Sequence, residues 1–289
     1  MWRPSLVRVE ARVLVDDYSG FTELLGEHGI SVLITLVYDD GSLYQVLLDT
    51  GRSGRVLLEN SRVLGVDLAR VNAIVLSHRH HDHTGGLPSL AGPLRGKPVI
   101  AHPDLLKPCY AESRGFTRFT AGLTPDAREA LRGFELVLVK EPLELAPNAL
   151  FLGEITRHYD NSYAVKGFKT VRNGELVDEH MLDDTGIAVK LGSRVLVVAG
   201  CSHSGIQNIV RQARKLTGAS EAIVLGGLHL AGADQADVKR VVEELLGEGV
   251  VEVHAGHCTG LTGEAELMSK LGKNFHKIHS GYYLAIKVL

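Results

Sequence analysis

This 289-residue sequence is short of cysteine, of tryptophan and of long apolar runs. Its three cysteines, Cys109, Cys201 and Cys258, are too few and too scattered for a disulfide framework, and they fit a reducing compartment. No apolar stretch is long enough to cross a bilayer. The opening "MWRPSLVRVEARVLVDD" interrupts its apolar residues with arginine, glutamate and aspartate, so it lacks the apolar core of a signal peptide. A cytoplasmic location is expected. Net charge is -3 with histidine neutral, and basic residues form no long block. The strip "RQARKL" (211 to 216) reads as the wet face of a helix. Neither nucleic acid nor a membrane surface is expected as a partner.

What is present is an ordinary globular composition, 45% hydrophobic and 22% charged, with 32 glycines to turn the chain. In the first half "VRVEARVLV" (7 to 15) alternates, "SVLITLVY" (31 to 38) is almost continuously apolar, and "LYQVLLDT" (43 to 50) follows a "DDGS" turn. These read as strands. "GRVLLENSRVLG" (54 to 65) has helical spacing, and "VNAIVLS" (71 to 77) is a further strand. "GKPVIAH" (96 to 102) suggests a strand and "TPDAREALRGF" (124 to 134) a capped helix. Later, strands over 186–191, 194–202, 221–227, 250–256 and 282–288 alternate with helices over 205–218, 233–249 and 262–272. The pattern predicts an α/β layered fold in a single domain spanning 1–289, with an irregular insertion or lid around 155–183.

One stretch stands apart. "IVLSHRHHDHTGGLP" (74 to 88) packs four histidines and one aspartate into positions 78 to 83, directly after an apolar strand. Alternate side chains of a strand share a face, so His78 and His80 point together while Arg79 points away. The chain then turns through Asp82 and His83 toward Gly85 and Gly86, which brings a carboxylate and a third imidazole to the same space. That donor set suits Zn²⁺, and Fe or Mn as well. The competing reading is a solvated loop rich in histidine. His81 faces away from the set and is assigned to packing or support.

"SHRHHDHTGG" resembles the His-x-His-x-Asp-His signature of the metallo-β-lactamase superfamily. "LLDTGRSG" (47 to 54) resembles the Asp-Thr-Gly turn that precedes the signature there. "GEHGISVLI" (26 to 34), "GCSHSGIQNI" (200 to 209), "GGLHL" (226 to 230) and "HAGHCTG" (254 to 260) resemble a narrower branch. That branch contains metal-dependent hydrolases and the archaeal dihydropterin–ribofuranosylaminobenzene-phosphate synthases. The resemblance implies an α/β (α+β) fold, a four-layer αββα sandwich with metal at one edge. It implies one ion on His78, His80 and a later histidine, with His203 the candidate. It implies another on Asp82, His83 and a later residue, with His257 the candidate. The implied cofactor is one or two Zn²⁺ ions, with Fe or Mn as alternatives. Many members carry Gly-Asp after the apolar strand, with a carboxylate bridging two metals; here the pair is Gly200-Cys201. Cys201 is either a ligand or a small buried thiol.

Other residues keep two readings. Asp49 either orients a ligating histidine or caps a turn. His229 either contacts substrate, sharing a catalytic proton-shuttle role with Asp82, or replaces one of the ligands. Glu27, His28, Glu154 and Arg157 are candidate substrate contacts, against loop or surface ion-pair roles. Cys258 is assigned to packing, and His102, His158, His180, His254, His276 and His279 to structural or surface positions. A bound metal lowers the pKa of its water from about 15.7 to around 7. With no Ser–His or Cys–His nucleophile pair evident, hydroxide attack on an ester, lactone, thioester or phosphoester is the expected reaction. Small-molecule substrates, phosphorylated ones among them, are expected. The resemblance implies a second reaction, a transfer in which an aminobenzene ribofuranosyl phosphate displaces pyrophosphate from a hydroxymethyl-dihydropterin, in methanopterin-type cofactor synthesis. A metal-sensing module without turnover is the third reading.

Overall fold

A computed structural model of the chain describes residues 4–113 and 116–288; residues 1 to 3 of the opening stretch lie outside the described residues. The first half runs β1 (Leu6–Val15), β2 (Ser31–Tyr38), β3 (Leu43–Leu48), α1 (Arg55–Val63) and β4 (Ala73–Val75). It continues through two short helices, α2 (His81–Thr84) and α3 (Leu87–Leu90), into β5 (Pro98–Ala101), β6 (Tyr110–Ser113) and β7 (Phe116–Thr120). Then come α4 (Pro125–Ala130), β8 (Glu135–Leu138), β9 (Leu143–Ala146), β10 (Ala149–Phe151), α5 (Ser162–Val165), β11 (Phe168–Arg172) and β12 (Glu175–Asp178). The last part runs β13 (Gly186–Leu191), β14 (Arg194–Ala199), α6 (Ile206–Thr217), β15 (Glu221–Gly227) and α7 (Gln235–Gly247). It closes with β16 (Val250–Gly256), α8 (Gly260–Leu271), β17 (Phe275–Lys277) and β18 (Tyr283–Lys287).

Two seven-stranded sheets result, ordered β18-β1-β2-β3-β4-β5-β8 and β17-β16-β15-β14-β13-β10-β9. Why they stack follows from residue alternation. In β2, Val32, Ile34 and Leu36 enter the core between the sheets, while Leu33 enters a second core beneath α1, α3 and α4. In β14, Leu196 and Val198 face the inter-sheet core, while Val195, Val197 and Ala199 pack against α6 and α7. Strands buried on both faces must be apolar at every position, which is why "SVLITLVY" and "RVLVVA" read as continuous runs. The layers are therefore helix, sheet, sheet, helix: the αββα sandwich. Each Leu, Ile or Val fully buried on these strands contributes roughly 1.5–3 kcal/mol.

Parallel pairing aligns the strand ends. β3, β4, β5 and β8 run parallel in one sheet, and β14, β15, β16 and β17 in the other. Their carboxyl ends lie where open α/β sheets bind ligands. Four of the seven non-glycine residues with positive φ among the described residues sit at these ends: Asp49 (56°), Ser202 (63°), His229 (49°) and His257 (44°). Left-handed backbone is costly for residues with a Cβ, and such strain clusters at functional sites.

The structure departs from the sequence reading in detail. The strand expected over 43–50 stops at Leu48, because Asp49 adopts left-handed backbone. The helix expected over 124–134 ends at Ala130 and tightens into a 3₁₀ turn over Leu131–Gly133; Thr124 caps its start by accepting from the Ala127 N–H. Residues 155 to 183 contain α5 and the β11–β12 hairpin. That hairpin joins β6 and β7 in a third, four-stranded sheet ordered β12-β11-β6-β7. These strands have four or five residues each, too short for periodicity to register in the sequence.

Candidate metal centre

After β4 the chain places His78 and His80 one residue apart and enters α2 at His81, which turns Asp82 and His83 back toward them. The turn closes only because its next residues lack side chains. A Cβ on Gly85 would lie 1.9 Å from the Arg52 carbonyl oxygen, and one on Gly86 would lie 2.1 Å from that of Thr50. The opposing wall is distributed. Cys201 and His203 follow β14, His229 follows β15, and His257 follows β16.

These residues meet in a buried cluster. Donor atoms of His78, His80 and His203 lie within 4.8 Å of one another. The His78 ring centroid is 4.6 Å from that of His80 and 4.8 Å from that of His203. Beside them, the Nε2 atoms of His83, His257 and His28 lie 3.5, 3.6 and 3.5 Å from Asp82 Oδ2. The His78 and His83 rings, 4.1 Å apart, join the two groups. Cys201 sits between them: it falls within 4.8 Å of the donors of His78, His83, His203, His229 and His257.

Four imidazoles share one arrangement. His83 Nδ1 is bonded to Asp49 Oδ2 (2.7 Å), His203 Nδ1 to the Ala164 carbonyl (2.7 Å), His257 Nδ1 to Asp17 Oδ1 (2.8 Å) and His78 Nδ1 to Ser77 Oγ (2.9 Å). Each leaves its Nε2 buried without a hydrogen-bond partner. An orphaned buried nitrogen costs about 1–3 kcal/mol unless something binds it. Four of them facing one space fit a divalent transition metal, whose ligand imidazoles are held in this way through the second nitrogen. Asp49 also accepts from the Ser77 N–H and hydroxyl, so one carboxylate fixes both ends of the β4 turn.

The two groups differ electrostatically. Burial, with neighbouring imidazoles second, pushes His78 and His203 well below the ordinary histidine range. Burial also lowers His80 strongly, and the nearby Asp82 charge only partly offsets it. These three rings are neutral and present lone pairs. Asp82 goes the other way: burial would raise its carboxyl, but the charges of His83 and His257 hold it well below the carboxylate range. Burial would lower His83, and Asp82 and Asp49 outweigh it, so this ring is raised well above its usual value.

The thiols belong to the same space. Cys201 Sγ lies 2.9 Å from Cys258 Sγ and 3.1 Å from His229 Nδ1. Burial drives the Cys201 thiol up. Burial acts likewise on Cys258, but the hydrogen bond from Cys201 and the charge of His257 outweigh it and bring Cys258 well below the thiol range. Phe168 closes the opposite side, its ring 4.6 Å from His80, 5.2 Å from His203 and 6.4 Å from His229.

Other sequence candidates lie elsewhere or serve differently. Glu27 accepts from the Arg52 and Ser53 N–H groups and the Ser53 hydroxyl, which holds the loop beside the turn. Glu154 pairs with His102 and Lys140, and Arg157 donates to the Ile155 and Met181 carbonyls; none of these contacts involves the clustered histidines. Arg79 is fully buried and paired with Asp183 and Glu179. His81 Nδ1 lies 3.3 Å from the Ala121 carbonyl. Sequence reasoning missed Asp17, which holds both His257 and His28, and Asp184, whose Oδ1 lies 4.0 Å from His78 Nδ1. Neither had a signal beyond a carboxylate next to a strand end.

The fold and these donors define an αββα sandwich with a candidate metal centre at one edge. The chain belongs to the metallo-β-lactamase superfamily, whose sequence model matches residues 29–168. It is 30% identical over 281 residues to 7,8-dihydropterin-6-methyl-4-(β-D-ribofuranosyl)aminobenzene-5′-phosphate synthase of Methanocaldococcus jannaschii, covering 94% of this chain and 95% of that one. Among solved structures it resembles a metal-dependent hydrolase of the β-lactamase superfamily, with a TM-score of 0.82, 28% identity and coverage of 96% and 99%. It also resembles a metallo-β-lactamase fold protein of Bacillus subtilis, with a TM-score of 0.55, 17% identity and coverage of 97% and 100%, a likeness of fold alone. Among the described residues no helix is long and apolar enough to cross a membrane.

Proposed function

We propose that this chain is a metal-dependent hydrolase of small molecules, cleaving an ester, a lactone or a phosphoester. The observation that carries the reading is the set of four buried imidazoles, each tied at Nδ1 and unpartnered at Nε2. His78, His80 and His203 would hold one ion, and Asp82, His83 and His257 a second, with Cys201 between them. Zn²⁺ is the preferred ion because imidazole and thiol donors suit it, with Fe or Mn as alternatives. When bound, the metal supplies an activated water near neutral pH and an electrophile for the substrate oxygen.

The chain's own groups do the rest. Asp82, held ionised and oriented by the three imidazoles around Oδ2, would position the attacking water by accepting its hydrogen bond. His229 is only half-buried and passes a proton to the departing oxygen. Asp17 and Asp49 keep His257 and His83 in the tautomer that presents Nε2. Phe168 excludes bulk water from the ring cluster.

A specific observation favours a second reading. The synthase relative matches this chain almost end to end, which supports a transferase that releases pyrophosphate from a dihydropterin. One experiment separates the two. Metal-loaded protein is incubated with a panel of esters, lactones and phosphoesters, and separately with hydroxymethyl-dihydropterin pyrophosphate plus aminobenzene ribofuranosyl phosphate. Hydrolysis that disappears in His78→Ala and His203→Ala, together with their bound metal, is expected. A coupled pterin product without panel hydrolysis would replace the hydrolase reading with the synthase. Full metal content in either variant would remove that residue from the ligand set.

A further inference from the structure

A second group of metal-type donors lies away from the centre, on the last strands of the second sheet. β16 and β17 run parallel with His254 directly opposite His276, and Glu252 lies two residues before His254 on the same strand face. The two imidazoles stack, 4.6 Å between centroids and 11° between planes. Glu252 Oε1 is 3.1 Å from His254 Nε2 and 3.3 Å from His276 Nε2. Three donors from two strands therefore point at one spot.

His254 is the telling member, because it is only 1% exposed. Its neighbours Val253 and Ala255 face the helix-side core, so His254 enters the rim of the inter-sheet core, beside Tyr282. Its Nδ1 is bonded to the Tyr282 hydroxyl at 2.8 Å. Its Nε2 makes no hydrogen bond, despite the nearby Glu252 oxygen. Burial first, and the His276 charge second, push its pKa down to about 4, so the ring is neutral and offers a lone pair. The other two donors reach solvent, His276 with 38% and Glu252 with 32% of the side chain exposed. A buried, oriented, unpartnered nitrogen with an open approach is how a ligand imidazole is presented.

We propose that Glu252, His254 and His276 form a second divalent transition-metal site, for an ion such as Zn²⁺, separate from the centre at His78–His83. Two nitrogens and one carboxylate oxygen, with water in the fourth position, satisfy a tetrahedral ion of this class. Two imidazoles argue against Mg²⁺ or Ca²⁺, which take oxygen ligands. The site ties β16 to β17, just before the segment that reaches the centre. Ile278 N–H donates to Ala255 O, Ser280 Oγ accepts from Asp16 N–H, and Asp16 Oδ2 accepts from the His257 N–H.

The test is a zinc titration of the full-length protein under chelator-buffered conditions, with metal counted by mass spectrometry. His276→Ala, at a half-exposed position, is expected to bind one equivalent less than the wild type and to keep its hydrolytic or transferase activity. Glu252→Gln preserves shape and should weaken that equivalent by more than roughly tenfold, the least that losing even an outer partner costs a metal site. The His78→Ala/His203→Ala double variant should still bind the equivalent that adding His276→Ala removes. Equal stoichiometry and affinity in the wild type and His276→Ala would overturn the site, whatever becomes of activity at the centre.

Discussion

The segment from His78 to His83 delivers its donors within six residues, whereas the opposite wall collects Cys201, His203, His229 and His257 from the ends of three strands. The first wall is built by local geometry: a strand end, a one-turn helix and two glycines pressed against the 50–52 loop. The second depends on register between β14, β15 and β16, and on left-handed backbone at Ser202, His229 and His257. Local construction is compact, and its imidazole is oriented from the neighbouring strand end by Asp49. Distributed construction stores strain and leans on partners far along the chain, such as Asp17 for His257.

The comparison can be tested from its strongest point downward. Arg79 lies inside the local wall but serves the fold. Arg79→Ala should destabilise the protein by about 3–5 kcal/mol in chemical denaturation, because it strands two buried carboxylates. A loss under about 1 kcal/mol, the range of a surface pair, would mean the segment is not held from behind.

The carboxylates of the two walls should respond oppositely to pH. Burial raises Asp184, beside the distributed wall, to about 6, above its unfolded value. Its contribution is complete below the unfolded pKa near 3.8 and is lost as pH rises through 6. The metal-free protein should therefore lose stability over that window relative to Asp184→Asn, by on the order of 2–3 kcal/mol. Parallel pH curves for the two proteins, measured with chelator present, would contradict the assignment. Asp82, held down by His83 and His257, has the opposite slope: its stabilisation is present above its unfolded pKa and disappears in acid.

Smaller effects separate the orienting groups. Asp17→Asn and Asp49→Asn should each weaken metal binding by roughly 10–100-fold, read by competition with a chromophoric chelator. If Asp49→Asn alone does so, the distributed wall does not need its distant partner. Least of all, His257→Gly should be more stable than His257→Ala by about 1 kcal/mol without metal, since both lose the ring and only glycine relieves a φ of 44°. Equal melting temperatures would show that position to be unstrained.

The same contrast explains what could be read from the sequence. Continuous apolar runs such as "SVLITLVY" exist because both strand faces are buried, so the sandwich layers were legible. The donors at 78, 80, 82 and 83 were legible because they are neighbours in sequence. His203 and His257 were reachable only through a resemblance, since a single histidine after a strand has no period of its own. Asp17 is 240 residues from His257, and only the fold joins them. The 2.9 Å approach of Cys258 to Cys201 is not legible in the sequence beyond the fact that both follow strands of one parallel set. His254 and His276 carry no signal in the sequence beyond structural or surface positions, because their pairing exists only across β16 and β17.

The bond from His203 Nδ1 to the Ala164 carbonyl has one more consequence. Asn161 also donates to the His203 carbonyl, at 2.8 Å, and Phe168 lies against the same ring. Residues 161 to 168 thus grip one donor by its backbone, its Nδ1 and its face. They cannot swing outward without either rotating that imidazole or breaking its tethers. The position of this stretch and the orientation of the His203 ring are mechanically one variable.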